Sequence, residues 1–267
     1  MARGRVLAIA GSDPSGGAGI QADLKTITGV GSYAMAAITA LTVQNTLGVN
    51  AVMQIPPDFV RQQIDAVLSD IGADVIKIGM LGDSATIEAV AAALQPYASI
   101  PVVLDPVMVA KGGAPLLADD AVQTLRARLI PGAALVTPNA PEAERLTGAA
   151  VGDVEGQKAA GAALLALGAK AAYVKGGHIP GEYVRDVLVT PGGARVYEAK
   201  RIDTKATHGT GCTLASAIAS DLAQGNSLEE AIARARFFLE EAILAAPGLG
   251  KGHQPLDHGW TLGLGHD

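Results

Sequence analysis

Short apolar runs of strand length recur along the chain, and most are separated by stretches with the 3.6-residue spacing of helices. Strands are expected at residues 6–10, 36–43, 49–55, 75–78, 102–104, 134–136 and 171–174. Helices are expected at 19–30, 59–71, 85–94, 121–129, 156–167 and 214–222, and a last one places Leu228, Ile232, Ala235, Leu239, Ala242 and Ala246 on one face. Two more strands, 184–189 and 195–199, flank Pro191, Gly192 and Gly193 and predict an antiparallel hairpin. The other strands are almost continuously apolar, so both of their sides must be covered. This pattern predicts an α/β three-layer sandwich, with a mostly parallel central sheet and helices on both faces. No repeat or linker interrupts it, so residues 1–267 are expected to form one domain, ending in an irregular Gly/Pro-rich stretch from residue 248.

Composition removes several functions. Twenty basic against 26 acidic side chains leave a net charge of −6, which argues against nucleic acid or an anionic membrane as partner. The longest apolar stretch, residues 33–43, is about half of what a membrane span needs, and the run at 6–10 is too short for a leader core. The single cysteine, Cys212, excludes internal disulfides and Cys-rich metal sites and fits a cytoplasmic protein. The 33 glycines show no triplet period, so they serve turns and close backbone approaches.

In parallel α/β sheets ligands bind at the carboxyl ends of strands, and the unusual polar clusters of this chain nearly all follow strands. The segment THGTGCT at 207–213 opens a helix. Its glycines allow a sharp turn, and exposed N–H groups with the helix dipole make an anion hole. Cys212 falls in the first turn, where a lowered thiol pKa is expected; the plain alternative is a small buried thiol. The pattern is not a P-loop, because it lacks the Lys-Ser/Thr ending. GSDPSGGAG at 11–19 leaves room for a flat ligand, with Asp23 one turn into the next helix; the alternative is a loose turn and a solvated Asp23. Asn139 and Glu142 form a capping-box pattern, and Asp105 precedes a proline turn; equally, both bring oxygen ligands of the kind magnesium takes with phosphates to one sheet edge. Lys175, before two glycines and His178, can hold phosphate or merely snorkel.

Together these segments resemble a family. AIAGSDPSGGAGIQADLK at 8–25, ITALTVQNT at 38–46, KIGML at 77–81, LDPVM at 104–108, TPNAPE at 137–142, VKGGH at 174–178 and THGTGCT at 207–213 are similar to the hydroxymethylpyrimidine/phosphomethylpyrimidine kinases of thiamine biosynthesis, members of the ribokinase-like superfamily. The resemblance implies a ribokinase-like sandwich that uses ATP and magnesium to phosphorylate 4-amino-5-hydroxymethyl-2-methylpyrimidine and then its monophosphate. It further implies that Gly11, Asp23, Gln44 and Met80 line the pyrimidine pocket. Gly209 and Gly211 would form the anion hole, with Cys212 as candidate base. Asp105 and Glu142 would hold magnesium, while Lys175, Asn139 and Thr210 face the nucleotide. A homodimer in the cytoplasm is expected. Without a fused second enzyme in the sequence, only the kinase steps are expected.

Two positions depart from the pattern: Thr42 stands at a pocket position often held by a valine or alanine, and Arg236 where many relatives carry a lysine. The rival readings are a pyridoxal kinase of the same superfamily, a Cys–His hydrolase built on Cys212 with His178 or His208, and a non-catalytic pyrimidine-binding protein.

Overall fold

The computed structural model describes residues 4–110, 112–118 and 120–263. In chain order its elements are β1 (Arg5–Ala10), α1 (Gly19–Gly29), β2 (Tyr33–Ile38), β3 (Ala40–Asn45), β4 (Gly48–Gln54), α2 (Pro57–Asp70), β5 (Val75–Ile78), α3 (Ser84–Leu94) and β6 (Val102–Leu104). There follow α4 (Ala121–Arg128), β7 (Leu135–Val136), α5 (Ala140–Thr147), α6 (Val154–Ala166), β8 (Ala172–Val174), β9 (Tyr183–Thr190), β10 (Gly193–Lys200), α7 (Thr210–Ala223) and α8 (Leu228–Leu244).

The main sheet has the order β10-β9-β8-β7-β6-β5-β1-β2. It is parallel from β2 to β8, and the closing β9–β10 hairpin is antiparallel. Alternation along each strand feeds two separate cores. Leu7, Ile9, Ile76, Ile78, Leu104 and Val136 point to one face, where α2, α3, α4, α5 and α6 contribute Ile64, Val90, Leu125, Leu146 and Leu164. Val6, Ala8, Val75, Val103 and Leu135 point to the other, against Ile27 of α1, Ile218 of α7 and Ile232 of α8. A two-residue side-chain period on strands covered from both sides thus yields the three layers. The chain runs outward from β1 to β2 and later returns to β1's other side with β5. That reversal opens a crevice at the carboxyl ends of β1 and β5.

One expected strand is corrected. Residues 36–43 form parts of two strands, β2 and β3, which belong to different sheets. The break falls at Thr39, whose N–H donates to the Ala10 carbonyl while its own carbonyl accepts from Ile55. Beyond it, β3 and β4 leave the main sheet as a separate antiparallel ribbon. The apolar run continues across the break, so nothing in its pattern marks the turn-off. The ribbon's outward residues Val43, Leu47 and Met53 are 60%, 64% and 60% exposed.

Candidate active site

A cavity of about 1040 Å³ lies along the carboxyl ends of the strands. The loops after β1, β5, β6, β7 and β8 wall it from the sheet, the ribbon closes one end, and β10 with α8 closes the other. Among the residues expected at the site, Gly11, Gln44, Met80, Asp105, Asn139, Glu142, Lys175, Gly209, Thr210, Gly211 and Cys212 all line this one space. Asp23 does not.

At the ribbon end the floor is apolar. Met80 is held by its carbonyl, which accepts from the Thr39 hydroxyl at 2.8 Å. A Cβ on Gly11 would stand 2.5 Å from the Met80 sulfur, so the loop after β1 needs glycine for the two to pack. Gln44 sits at a register shift between Val43 and Gln44 in the β3–β4 pairing, an irregularity of the kind that re-aims a side chain. Thr42, the departure noted above, donates to the Ser12 carbonyl at 2.8 Å and lies 3.2 Å from Gln44 Oε1, so it steadies the amide.

In the middle stands the glycine-rich start of α7, the expected anion hole. Gly209 is the N-cap of α7 with φ +82°, and a Cβ there would overlap the Gly17 carbonyl; only glycine serves both demands. Gly211 presents its Cα to the charged centre: a Cβ on it would lie 3.2 Å from Lys175 Nζ and 3.6 Å from Asp105 Oδ2. Lys175 Nζ donates to Asp105 Oδ1 at 2.8 Å, and the Thr137 hydroxyl donates to the same oxygen at 3.1 Å. Burial alone lowers the Lys175 ammonium, but Asp105 and Glu142 outweigh it and hold the group charged.

Asn139 and Glu142 do form the capping box. Asn139 Oδ1 accepts from the Glu142 N–H at 3.0 Å, and Glu142 Oε2 accepts from the Asn139 N–H at 2.8 Å. Yet Glu142 is only 7% exposed, and burial, with Asp105 nearby, pushes its carboxyl up to about 7. A cap needs no such burial. Two buried carboxylates facing one lysine leave an excess of negative charge that a small divalent cation would balance. Among the described residues no group of three or more His, Cys, Asp and Glu converges. Asp105 and Glu142, both buried and both lining the cavity, fit a hard cation that takes one or two carboxylates and completes its shell with phosphate and water, as magnesium does.

Two expectations are overturned. Asp23 is neither solvated nor on the cavity wall. It is fully buried beneath it, where Oδ1 accepts from Lys77 Nζ at 2.8 Å and from the Ser216 hydroxyl at 2.8 Å, while Oδ2 has no partner. Burial raises the Asp23 carboxyl; burial lowers Lys77, but Asp23, Cys212 and Asp105 together more than reverse it. Removing one member of such a pair typically costs about 3–5 kcal/mol, because the other charge stays buried. The Cys212 thiol is not activated by the helix start either. Burial pushes it up to about 11, with Asp23 and Asp105 adding to the rise and the Lys77 ammonium opposing it.

Residues that sequence reasoning left off the site are Lys77, Thr137, Ser216, Asp13 and His208. His208 lines the cavity, but its Nε2 meets Asp13 Oδ2 at 2.7 Å. Asp13 is lowered: burial raises it, and the bonds from His208 and Ser15 prevail. At the far end Arg236 is paired with Asp186 and with the Tyr173 hydroxyl, beside exposed Phe237.

The family model for phosphomethylpyrimidine kinase matches residues 13–257. The thiamine biosynthesis bifunctional protein ThiED of Geobacter sulfurreducens is 54% identical over 256 residues, which are 96% of this chain and 52% of that protein; the chain spans about half its length. The hydroxymethylpyrimidine/phosphomethylpyrimidine kinase of Salmonella typhimurium is 48% identical over 261 residues, 97% of this chain and 98% of that one. Among solved structures, an ADP complex of Bacillus subtilis pyridoxal kinase superposes with a TM-score of 0.90 at 38% identity, covering 99% of this chain and 100% of that chain.

Proposed function

The chain belongs to the phosphomethylpyrimidine kinase family, and from that premise we propose that it transfers the γ-phosphoryl group of ATP to 4-amino-5-hydroxymethyl-2-methylpyrimidine and then to the resulting monophosphate, in thiamine diphosphate biosynthesis. The carrying observation is the sharing of one cavity by an amide-bearing apolar end and a charged anion hole. An aminopyrimidine edge offers a donor beside an acceptor, and the Gln44 amide supplies the complement. Met80 and Gly11 give the ring a flat apolar floor. The N–H groups at the start of α7, with Lys175, stabilise charge on the transferring phosphoryl group, and such transfer depends on positioning and charge more than on covalent chemistry. Asp105 and Glu142 are the residues that would hold magnesium, whose chemistry when bound is to neutralise phosphate charge. Asn139 and Thr210 face the nucleotide.

Cys212 takes the hydroxymethyl proton in this reading. A thiol near 11 is protonated at rest, so the reactive form is the minority thiolate. The second step needs no such base, because the acceptor is already an anionic phosphate. The 1–267 chain acts as one ribokinase-like domain. It works in the cytoplasm, where ATP is available, and as a homodimer joined through the apolar outer face of the β3–β4 ribbon.

Phosphate transfer from ATP, compared for the pyrimidine alcohol, its monophosphate and pyridoxal, tests the assignment. Turnover of both pyrimidines is expected; none of either would refute it. The superposition on a pyridoxal kinase favours pyridoxal as a second acceptor, which the same assay reads directly.

A further inference from the structure

The two glycine-rich loops that wall the cavity lie nearly two hundred positions apart in sequence, and a buried side-chain hydrogen bond is one of the links that tie them. His208 Nε2 stands 2.7 Å from Asp13 Oδ2, with the two side chains 6% and 2% exposed. Asp13 is the hub of the loop after β1. Its Oδ1 accepts from the Ser15 N–H and hydroxyl at 2.9 and 2.7 Å, and its Oδ2 accepts from the Ala18 N–H at 2.9 Å. His208 directly precedes Gly209, the N-cap of α7. Packing closes the same seam: a Cβ on Gly17 would overlap the His208 ring, and one on Gly209 would overlap the Gly17 carbonyl.

We propose that the Asp13–His208 pair is a positioning device, which fixes the anion-hole loop against the pyrimidine loop so that the acceptor oxygen and the transferring phosphoryl group meet in line. It rests on the kinase reading above. Each loop keeps its own shape without the pair. In the first, Ser12 N–H donates to the Ala40 carbonyl and Ile20 N–H to the Gly11 carbonyl; in the second, Thr213 N–H donates to the Gly209 carbonyl. Each ligand therefore still finds its own half of the site when the tie is cut. What goes is the relative placement of the halves, an effect felt in the transition state and not in ground-state binding. Asp13 and His208 act through the loops and touch no reacting atom.

The test is steady-state kinetics of the full chain with ATP, magnesium and the pyrimidine alcohol, for wild type, His208→Ala, His208→Gln and His208→Asn. Gln places its amide nitrogen where Nε2 stands and reaches Asp13; Asn places it at the Nδ1 position and falls short. His208→Ala and His208→Asn are expected to lose roughly 10²-fold in kcat, as a misplacement near 1 Å does, with both KM values within about twofold of wild type and most of the loss recovered by His208→Gln. A raised KM at unchanged kcat overturns the proposal, and so does equal impairment by Gln and Asn. Should His208→Ala not fold, the Gln against Asn contrast decides alone. A wild-type chain that transfers no phosphate overturns the kinase reading, and the inference with it, so the two failures are told apart.

Discussion

The Cys212 thiol is neutral at rest, and its proposed role as base fixes how the two phosphorylations should respond to pH. If the thiolate takes the alcohol proton, the first rate rises about tenfold per pH unit from neutrality toward 11, as the thiolate fraction does. The second step, onto an anionic phosphate, stays flat over that range. Cys212→Ala should therefore slow the alcohol step by roughly 10²–10⁴-fold, remove its slope and leave the monophosphate step nearly intact. Single-turnover rates at saturating ATP and magnesium read all three. Equal slowing of both steps would make Cys212 a shaper of the anion hole instead. Glu142 gives a second expectation. Its folded carboxyl sits at about 7 against an ordinary 4.5, so the protonated form is the one the fold favours. Its contribution is complete below 4.5 and is lost as pH rises through 7. Glu142→Gln keeps the capping box and cannot ionise. Denaturant unfolding without magnesium should show it gaining on wild type from pH 5 to pH 8. Adding magnesium at pH 8 should stabilise wild type and not the variant; magnesium that stabilises neither, or both alike, would return Glu142 to a cap alone.

At the scale of elements, α7 carries the proposed anion hole and is pinned from outside the sheet. His258 Nε2 and the Thr213 hydroxyl, in its first turn, lie 2.9 Å apart, and Asp257 and Gln254 tie the same segment to α8 and to the loop before α7. Burial lowers His258 to about 4, with Lys25 adding to it. A base depressed in the folded state gives stability that is present above pH 6.5 and lost as pH falls through 4. Wild type should lose about 3 kcal/mol over that interval on this account, and His258→Gln should flatten it in acid unfolding measurements. An unchanged acid limb would place the sensitive group elsewhere. Elements of this kind were unevenly legible. Strands at 75–78 and 102–104 coincide with β5 and β6, and the β9–β10 hairpin was readable from its turn, because local apolarity and turn residues decide them. Thr39 was not readable as a boundary, since its neighbours on both sides are apolar. The site's outline came from motif resemblance, but its wiring did not. Lys77–Asp23 spans 54 positions and Asp13–His208 spans 195, and a single sequence carries no signal of which distant charges meet. Cys212 shows the converse error: the helix start was visible, and the burial that overrides it was not.

For the whole molecule, the outer face of the β3–β4 ribbon is an exposed apolar surface near the site, with Val43, Leu47 and Met53 at 60%, 64% and 60% exposure. Such patches mark association surfaces. Sedimentation of wild type should show a dimer, and Val43→Lys with Met53→Lys should give a folded monomer; a wild type that sediments as a monomer would remove the ribbon's proposed partner. The ribbon also departs from the main sheet at a single residue, Thr39, and carries Thr42 and Gln44 with it. The groups proposed to handle phosphate, Asp105, Glu142, Lys175 and Gly211, all hang from the sheet or its helices. On the proposed roles, the acceptor-reading amide thus sits on a stretch of its own, while the rest of the acceptor pocket, Gly11 and Met80, shares the main sheet with the phosphate side. Rewriting that hairpin alone would, on those roles, change the amide that reads the acceptor while leaving Gly11, Met80 and the phosphate side of the cavity in place.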